Sequence, residues 1–210
     1  MHNFEANKAV YEAGAQVIRS LWDERSPFPG ALKALVRNNM AVSNQSGSMV
    51  LWSNGDDSFL GGGVGLEISG QNDGNKGKQL GTVQVITLDE YLEQRGVVKP
   101  ILYAKIDAEG VDVDVMLGAS QTISSGQLRM FQLEHSSELM KRIHEILDLG
   151  FHAFLMGTKN LIRIDRGWTS FTRVDQGLFA NILFLRATDP PYTELLTRFN
   201  VNRELWPCWV

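Results

Sequence analysis

The sequence predicts an α/β layered fold built on a mostly parallel sheet, and three observations carry that expectation. Short apolar runs of strand character alternate with segments of helical periodicity along most of the chain. Glycine, proline or capping residues punctuate them at short intervals. ILYAKID, at residues 101–107, is apolar and ends abruptly in an acid, the pattern of a central strand in a parallel sheet.

The elements follow in order. Residues 2–5 are extended in character, and Asn7 is placed to cap a helix whose positions Val10, Tyr11, Val17, Ile18, Leu21 and Trp22 recur at helical spacing. Two prolines and a glycine within residues 25–30 end it. Residues 35–42 and 47–52 read as strands. From 53 to 81 glycine, asparagine, aspartate and serine dominate, and so few apolar side chains cannot offset the entropy of ordering. That segment is expected to be a flexible surface insertion. Residues 82–86 resume strand alternation, and TLDEYLEQRG makes a short helix stopped by Gly96. VDVDVMLGA fits two patterns: Val111, Val113 and Val115 alternate, whereas Val113, Met116 and Leu117 share a helical face. Residues 128–133 form a strand, and Ser136 or Ser137 caps a helix carrying Leu139, Met140, Ile143, Ile146 and Leu147 on one side up to Gly150. Further strands are expected at 151–156, 160–165 and 181–185. One domain over 1–188 and a tail over 189–210, holding Trp206 and Trp209, account for the chain.

A chain of 210 residues can bury a sizeable core as one domain. A net charge of -4 supplies no general attraction to phosphate backbones or anionic lipid, so neither nucleic acid nor membrane is an expected partner. Cys208 is the single cysteine, which excludes an intrachain disulfide, and no leader-like or bilayer-length apolar run occurs in the sequence. A cytoplasmic protein is the expectation. His2, His135, His144 and His152 are scattered without metal-ligand spacing, so no metal site is predicted. GGGVG at 61–65 lacks the preceding strand and following helix that a phosphate loop needs, and reads as a flexible loop.

KIDAEG stands at residues 105–110 and is followed by GAS at 118–120. Around it, in order, lie FEAN at 4–7, AVSNQSG at 41–47, VQVITLDEYL at 83–92, LRMFQLEH at 128–135 and ANILFLR at 180–186. This succession resembles the FkbM-type methyltransferases, which use S-adenosylmethionine (SAM), and the resemblance spans about residues 1 to 186. It implies a Rossmann-like class I methyltransferase sheet, SAM as cofactor, and methyl transfer to a hydroxyl of a small-molecule or glycan acceptor. It also implies a helix for VDVDVMLGA.

The same resemblance assigns candidate roles. Glu5 would accept hydrogen bonds from the ribose hydroxyls, the other reading being a carboxylate that caps the next helix. Ala41 and Val42 would border the adenine or serve only in strand packing. Asp107 would receive the cofactor's ammonium or the acceptor hydroxyl, and Glu109 would brace the adjoining turn through backbone amides. Lys105 reads as a stem packed on apolar surface with its amine at the edge. Glu134 and His135 are candidate bases for the hydroxyl proton, with His135 also readable as a surface residue before its helix cap. In folds of this kind a glycine loop stands roughly 20 residues before the ribose-binding acid. With Glu5 at position 5 that strand and loop do not fall within these 210 residues. The expectations that follow are a sheet incomplete at its N-terminal side and weak SAM binding by the chain alone, with a non-catalytic binding or scaffolding module as the alternative function. Sugar-nucleotide binding is disfavoured because neither a phosphate loop nor a metal-binding acidic pair is evident.

Overall fold

In the computed structural model, residues 1–21, 35–53, 64–67, 78–108, 111–157, 160–164, 180–186, 194 and 200–202 are described. The elements are β1 (His2–Phe4), α1 (Lys8–Leu21), β2 (Val36–Asn38), β3 (Ala41–Val42), β4 (Gly47–Ser53), β5 (Val64–Glu67), β6 (Lys78–Ile86) and α2 (Leu88–Gln94). They continue with β7 (Ala104–Ile106), α3 (Asp112–Leu117), α4 (Ser120–Ser124), β8 (Met130–Glu134), α5 (Ser137–Asp148), β9 (Phe151–Met156), β10 (Asn160–Ile164), β11 (Asn181–Arg186) and β12 (Asn200–Asn202).

Local chemistry sets several helix starts. Asn7 Oδ1 accepts the Ala9 amide at 3.0 Å ahead of α1, Thr87 accepts the Glu90 amide at 3.1 Å ahead of α2, and Ser136 accepts the Leu139 amide at 3.0 Å ahead of α5. α5 then buries Leu139, Met140, Ile143 and Ile146 along one face, as its spacing predicts. Gly150, at φ 88°, turns the chain out of α5 into β9. The ambiguous VDVDVMLGA is helical, in α3.

Three sheets form, with strand orders β1-β2, β3-β6-β4-β5 and β12-β10-β9-β11-β8-β7. Parallel pairings (β1–β2, β3–β6, β7–β8, β10–β12) stand beside antiparallel ones (β4–β5, β4–β6, β8–β11, β9–β11, β9–β10). The fold is α/β with mixed sheets, so the mostly parallel sheet expected from the alternation of elements is not what the described strands make. Connections explain the difference. A parallel partner needs a crossover, such as α3 and α4 between β7 and β8, whereas residues 157–159 between β9 and β10 have room only for a hairpin. β11 inserts antiparallel between β8 and β9.

Two further expectations are corrected. β7 ends the six-stranded order rather than lying at its centre, and its approach is exposed, Leu102 by 69% and Tyr103 by 45%. The glycine-rich segment contains ordered pairing: β5 lies antiparallel on β4, with Leu51 opposite Leu66, and β6 begins at Lys78 rather than near 82. Val64 and Leu66 supply the period-two apolar pattern that the polar composition around them obscures. Residues 54–63 and 68–77 lie outside the described residues, as do Trp206 and Trp209, while β12 from the expected tail pairs with β10.

The main core lies between one face of the six-stranded sheet and helices α3, α4 and α5. Phe131 stacks on Phe184 at 4.7 Å and meets Phe151 edge-on at 4.8 Å, with Met116, Ile123, Leu139 and Ile146 closing over them. Each such side chain contributes roughly 1.5–3 kcal/mol of burial. A second cluster around Tyr91 and Leu92 of α2 gathers Phe4 and Ile101, so α2 touches both β1 and the segment entering β7.

Candidate active site

β7 and β8 are paired in parallel, Ala104 with Phe131, Lys105 with Gln132 and Ile106 with Leu133, so Asp107 and Glu134 leave the sheet one step further on, side by side. Strand alternation sends Ile106, Phe131 and Leu133 into the core, and leaves Tyr103, Lys105 and Asp107 on the opposite face with Gln132 and Glu134. On that face the Tyr103 hydroxyl donates to Gln132 Oε1 at 2.7 Å, and Lys105 Nζ donates to Asp107 Oδ2 at 2.7 Å. The amine of Lys105 therefore binds the candidate acid. With side chains 52% and 41% exposed, that ion pair is screened and contributes at most about 1 kcal/mol to stability.

Glu134 is held above the usual carboxylate range, first by burial, then by the negative charge of Asp107 and a hydrogen bond to it, then by Asp112, with Lys105 opposing. Lys105 holds its proton more firmly than a free lysine, chiefly through its hydrogen bond to Asp107 and against burial. Two carboxyl groups thus meet at the ends of adjacent strands with one cation beside them.

The other candidates occupy separate places. His135 follows Glu134 directly, is half-buried, and donates its backbone N–H to Ala180 O at 2.8 Å. Glu5 Oε1 accepts the Asn7 amide at 2.8 Å, the helix-entry role weighed for it, while no described residue engages its other oxygen. Ala41 packs with Met49, Leu51, Val83 and Val85, and its neighbour Val42 packs on the main core. Asp107, Glu134 and Lys105 come together, whereas no described contact joins Glu5 to them. Glu109 lies outside the described residues.

Residues without an assigned role hold this framework. Ala119 precedes α4 and offers no side-chain cap, so Asp89 reaches across from α2 and accepts the Gln121 amide, the Thr122 amide and the Thr122 hydroxyl, at 2.8, 2.8 and 2.6 Å. The Asp89 amide donates to Gly118 O at 3.1 Å, and Ser43 N donates to Ile86 O at 3.1 Å. Gly118 lies so close to Ser43 that a Cβ there would stand 2.1 Å from the Ser43 carbonyl oxygen. The AVS, TLD and GAS segments are therefore one packed unit. Asn44 extends it to Asp114 of α3 at 3.3 Å, and Asp114 receives Arg142 of α5 at 3.1 Å. An open cleft of about 590 Å³ between α2 and α4 has Asn44, Asp89, Gly118 and Gln127 in its wall, and none of the candidate acids. Its Asp89 is already engaged by α4.

Among the described residues no group of three or more His, Cys, Asp or Glu side chains is placed to hold a metal, and no helix is long and apolar enough to cross a membrane. Neither a curated protein nor a solved structure matches the chain. The family model of the methyltransferase FkbM domain matches residues 4–153, a span that runs from β1 through the paired acids of β7 and β8 into β9. With the KIDAEG strand end, the LEH strand end and the packed AVS, TLD and GAS segments all inside that span, the chain belongs to the FkbM methyltransferase family.

Proposed function

We propose that this chain transfers a methyl group from SAM to a hydroxyl oxygen of a small-molecule or glycan acceptor, on a Rossmann-like class I methyltransferase sheet. The order β7-β8-β11-β9, with β11 antiparallel to both neighbours, and the parallel β1–β2 pair support that sheet. The observation that carries the reaction is the meeting of Asp107 and Glu134 at the carboxyl ends of adjacent parallel strands, where sheets of this type bind ligands. The donor set fits the cofactor: SAM carries an ammonium and a sulfonium, and an edge rich in carboxylates attracts cations. Asp107 would hold the ammonium, Glu5 would offer the oxygen that no described residue engages to a ribose hydroxyl, and Ala41 and Val42 would border the adenine.

Bound SAM supplies an electrophilic methyl carbon on a positively charged sulfur. The residues of this chain have two tasks, to align the acceptor oxygen and to remove its proton. Glu134 suits the second, because burial and the neighbouring acid make its carboxylate a stronger base than a free glutamate. His135, one residue on, would pass that proton to solvent. A cytoplasmic setting suits the single cysteine, and the net charge of -4 favours such acceptors over nucleic acid or a membrane surface.

Incubation of the chain with methyl-labelled SAM and sugar, lipid-linked glycan and polyketide alcohols tests the reading. Label is expected in an O-methyl ether, with turnover reduced about 100-fold or more in Glu134→Gln while SAM affinity is retained. Absence both of label in every acceptor class and of heat on titration with SAM would reject it in favour of a non-catalytic binding module.

A further inference from the structure

Asp112 opens α3 and is buried, with 6% of its surface exposed, a rare position for an acid. Its Oδ1 accepts the Ala108 amide at 3.1 Å, and the Val111 amide closes the same turn on Ala108 O at 3.3 Å. Ala108 is the residue after Asp107, so the buried carboxylate grips the chain one residue from the paired acid. It takes at Ala108 the bracing role expected of Glu109. We propose that Asp112 is a positioning residue for the Asp107–Glu134 pair: it fixes the turn that carries Asp107, and its carboxylate adds to the negative charge acting on Glu134.

The proposal rests on Asp107 and Glu134 being the reacting acids, and its test does not. Lys105 of β7, Asp107 just beyond it and Asp112 of α3 act on the charge of Glu134, with Tyr103 acting on Lys105; His135 is adjacent in sequence, and Asn181 stands opposite on β11 without charge. Asp112 is the member of this set withdrawn from water, so its field is the least screened. Its negative charge raises the proton affinity of Glu134.

Two substitutions separate the grip from the charge. Asp112→Asn keeps an oxygen that can accept the Ala108 amide and removes the charge, whereas Asp112→Ala removes both. Hydrogen exchange of the Ala108 amide and carbon-detected NMR titration of the Glu134 carboxyl, on the full chain without cofactor, read the two effects. In Asp112→Asn, Ala108 exchange stays near the wild-type rate and the Glu134 midpoint falls toward the ordinary range. In Asp112→Ala the midpoint also falls, and Ala108 exchanges about ten-fold faster or more, the size of one hydrogen bond to a charged acceptor. A purely structural aspartate would leave the Glu134 midpoint unmoved in the folded Asn variant. That result overturns the proposal, as does unchanged Ala108 exchange in a folded Ala variant; if Asp112→Ala does not fold, the Asn variant decides. Neither readout involves SAM, so a failure of methyl transfer and a failure here are distinguishable.

Discussion

Adding one methyl group at Gly118 tests whether the AVS and GAS segments are locked together as the structure has them. The Gly118 backbone, at φ -71°, suits any residue, so the cost of alanine there is contact and not conformation. Its Cβ would fall 2.1 Å from Ser43 O, 3.0 Å from Ser43 C and 3.2 Å from Asn44 Cα, against the ~3.5 Å at which non-bonded atoms rest. Backbones must separate by more than 1 Å (roughly 3.5 minus 2.1), and neither side is free to move. Ser43 is held to Ile86, Asn44 to Asp114, and Gly118 to Asp89. Overpacking costs about 1–3 kcal/mol in general, and a clash between two pinned backbones belongs at the upper end. A loss of about 3 kcal/mol is a large share of the ~5–15 kcal/mol that stabilises a domain. In a chain of this length it lowers Tm by about 6–12 °C. Thermal and urea unfolding followed by circular dichroism give both numbers. Gly126 is the control: at φ 77° an added Cβ meets nothing within 4 Å, so Gly126→Asn, which tolerates that conformation, should cost less than Gly126→Ala. Gly118→Asn should recover nothing. A Gly118→Ala variant within about 0.5 kcal/mol of wild type would refute the close approach and the locked unit with it.

Asp89→Ala removes four hydrogen bonds from the first turn of α4, one of them long, and is expected to cost about 2–4 kcal/mol in urea unfolding, with Asp89→Asn falling between it and wild type. Tyr91 is 2% exposed, and its hydroxyl bonds His2 Nδ1 at 2.7 Å and Asn38 Oδ1 at 3.2 Å, so Tyr91→Phe should cost about 1–2 kcal/mol while keeping the edge-on contact with Phe4 at 4.7 Å. Glu134 binds its proton more tightly folded than unfolded, so its contribution to stability is greatest below the ordinary glutamate range and is lost as pH rises through its raised midpoint. Glu134→Gln should flatten that fall in a series of unfolding curves against pH; a slope unchanged by the substitution would contradict the raised midpoint.

What the chain alone discloses tracks how local each interaction is. The caps at Asn7, Thr87 and Ser136 act within three residues, and each lies where a small polar side chain precedes an apolar period. The pairing of Asp107 with Glu134 could be anticipated because the two acids close successive strands joined by a helical crossover, which makes the strands parallel and their ends adjacent. Asp89 could not: in TLD it looks like a first-turn acid of its own helix, yet its carboxylate serves a helix 31 to 33 residues away. Asp112 presents the same difficulty, since burial depends on packing that no short window encodes. β5 was hidden for another reason. Four residues of strand character within a glycine-rich stretch fall below what composition resolves, and the pairing surface is supplied by β4.

Charge at the ends of β7 and β8 bears on which ligand can occupy them. Asp107, Glu134 and Asp112 contribute three carboxyl groups, and Lys105 supplies the opposing charge. The negative charge of Asp107 and Asp112 raises the proton affinity of Glu134, so further negative charge is resisted at the site. A pyrophosphate arriving here would add two charges of the unfavourable sign, with no glycine-rich cradle among the described residues near the pair to disperse them. A ligand bearing an ammonium or a sulfonium reverses the balance, because it relieves the repulsion between the acids. The feature that disfavours a sugar nucleotide is thus the one that favours a cationic ligand.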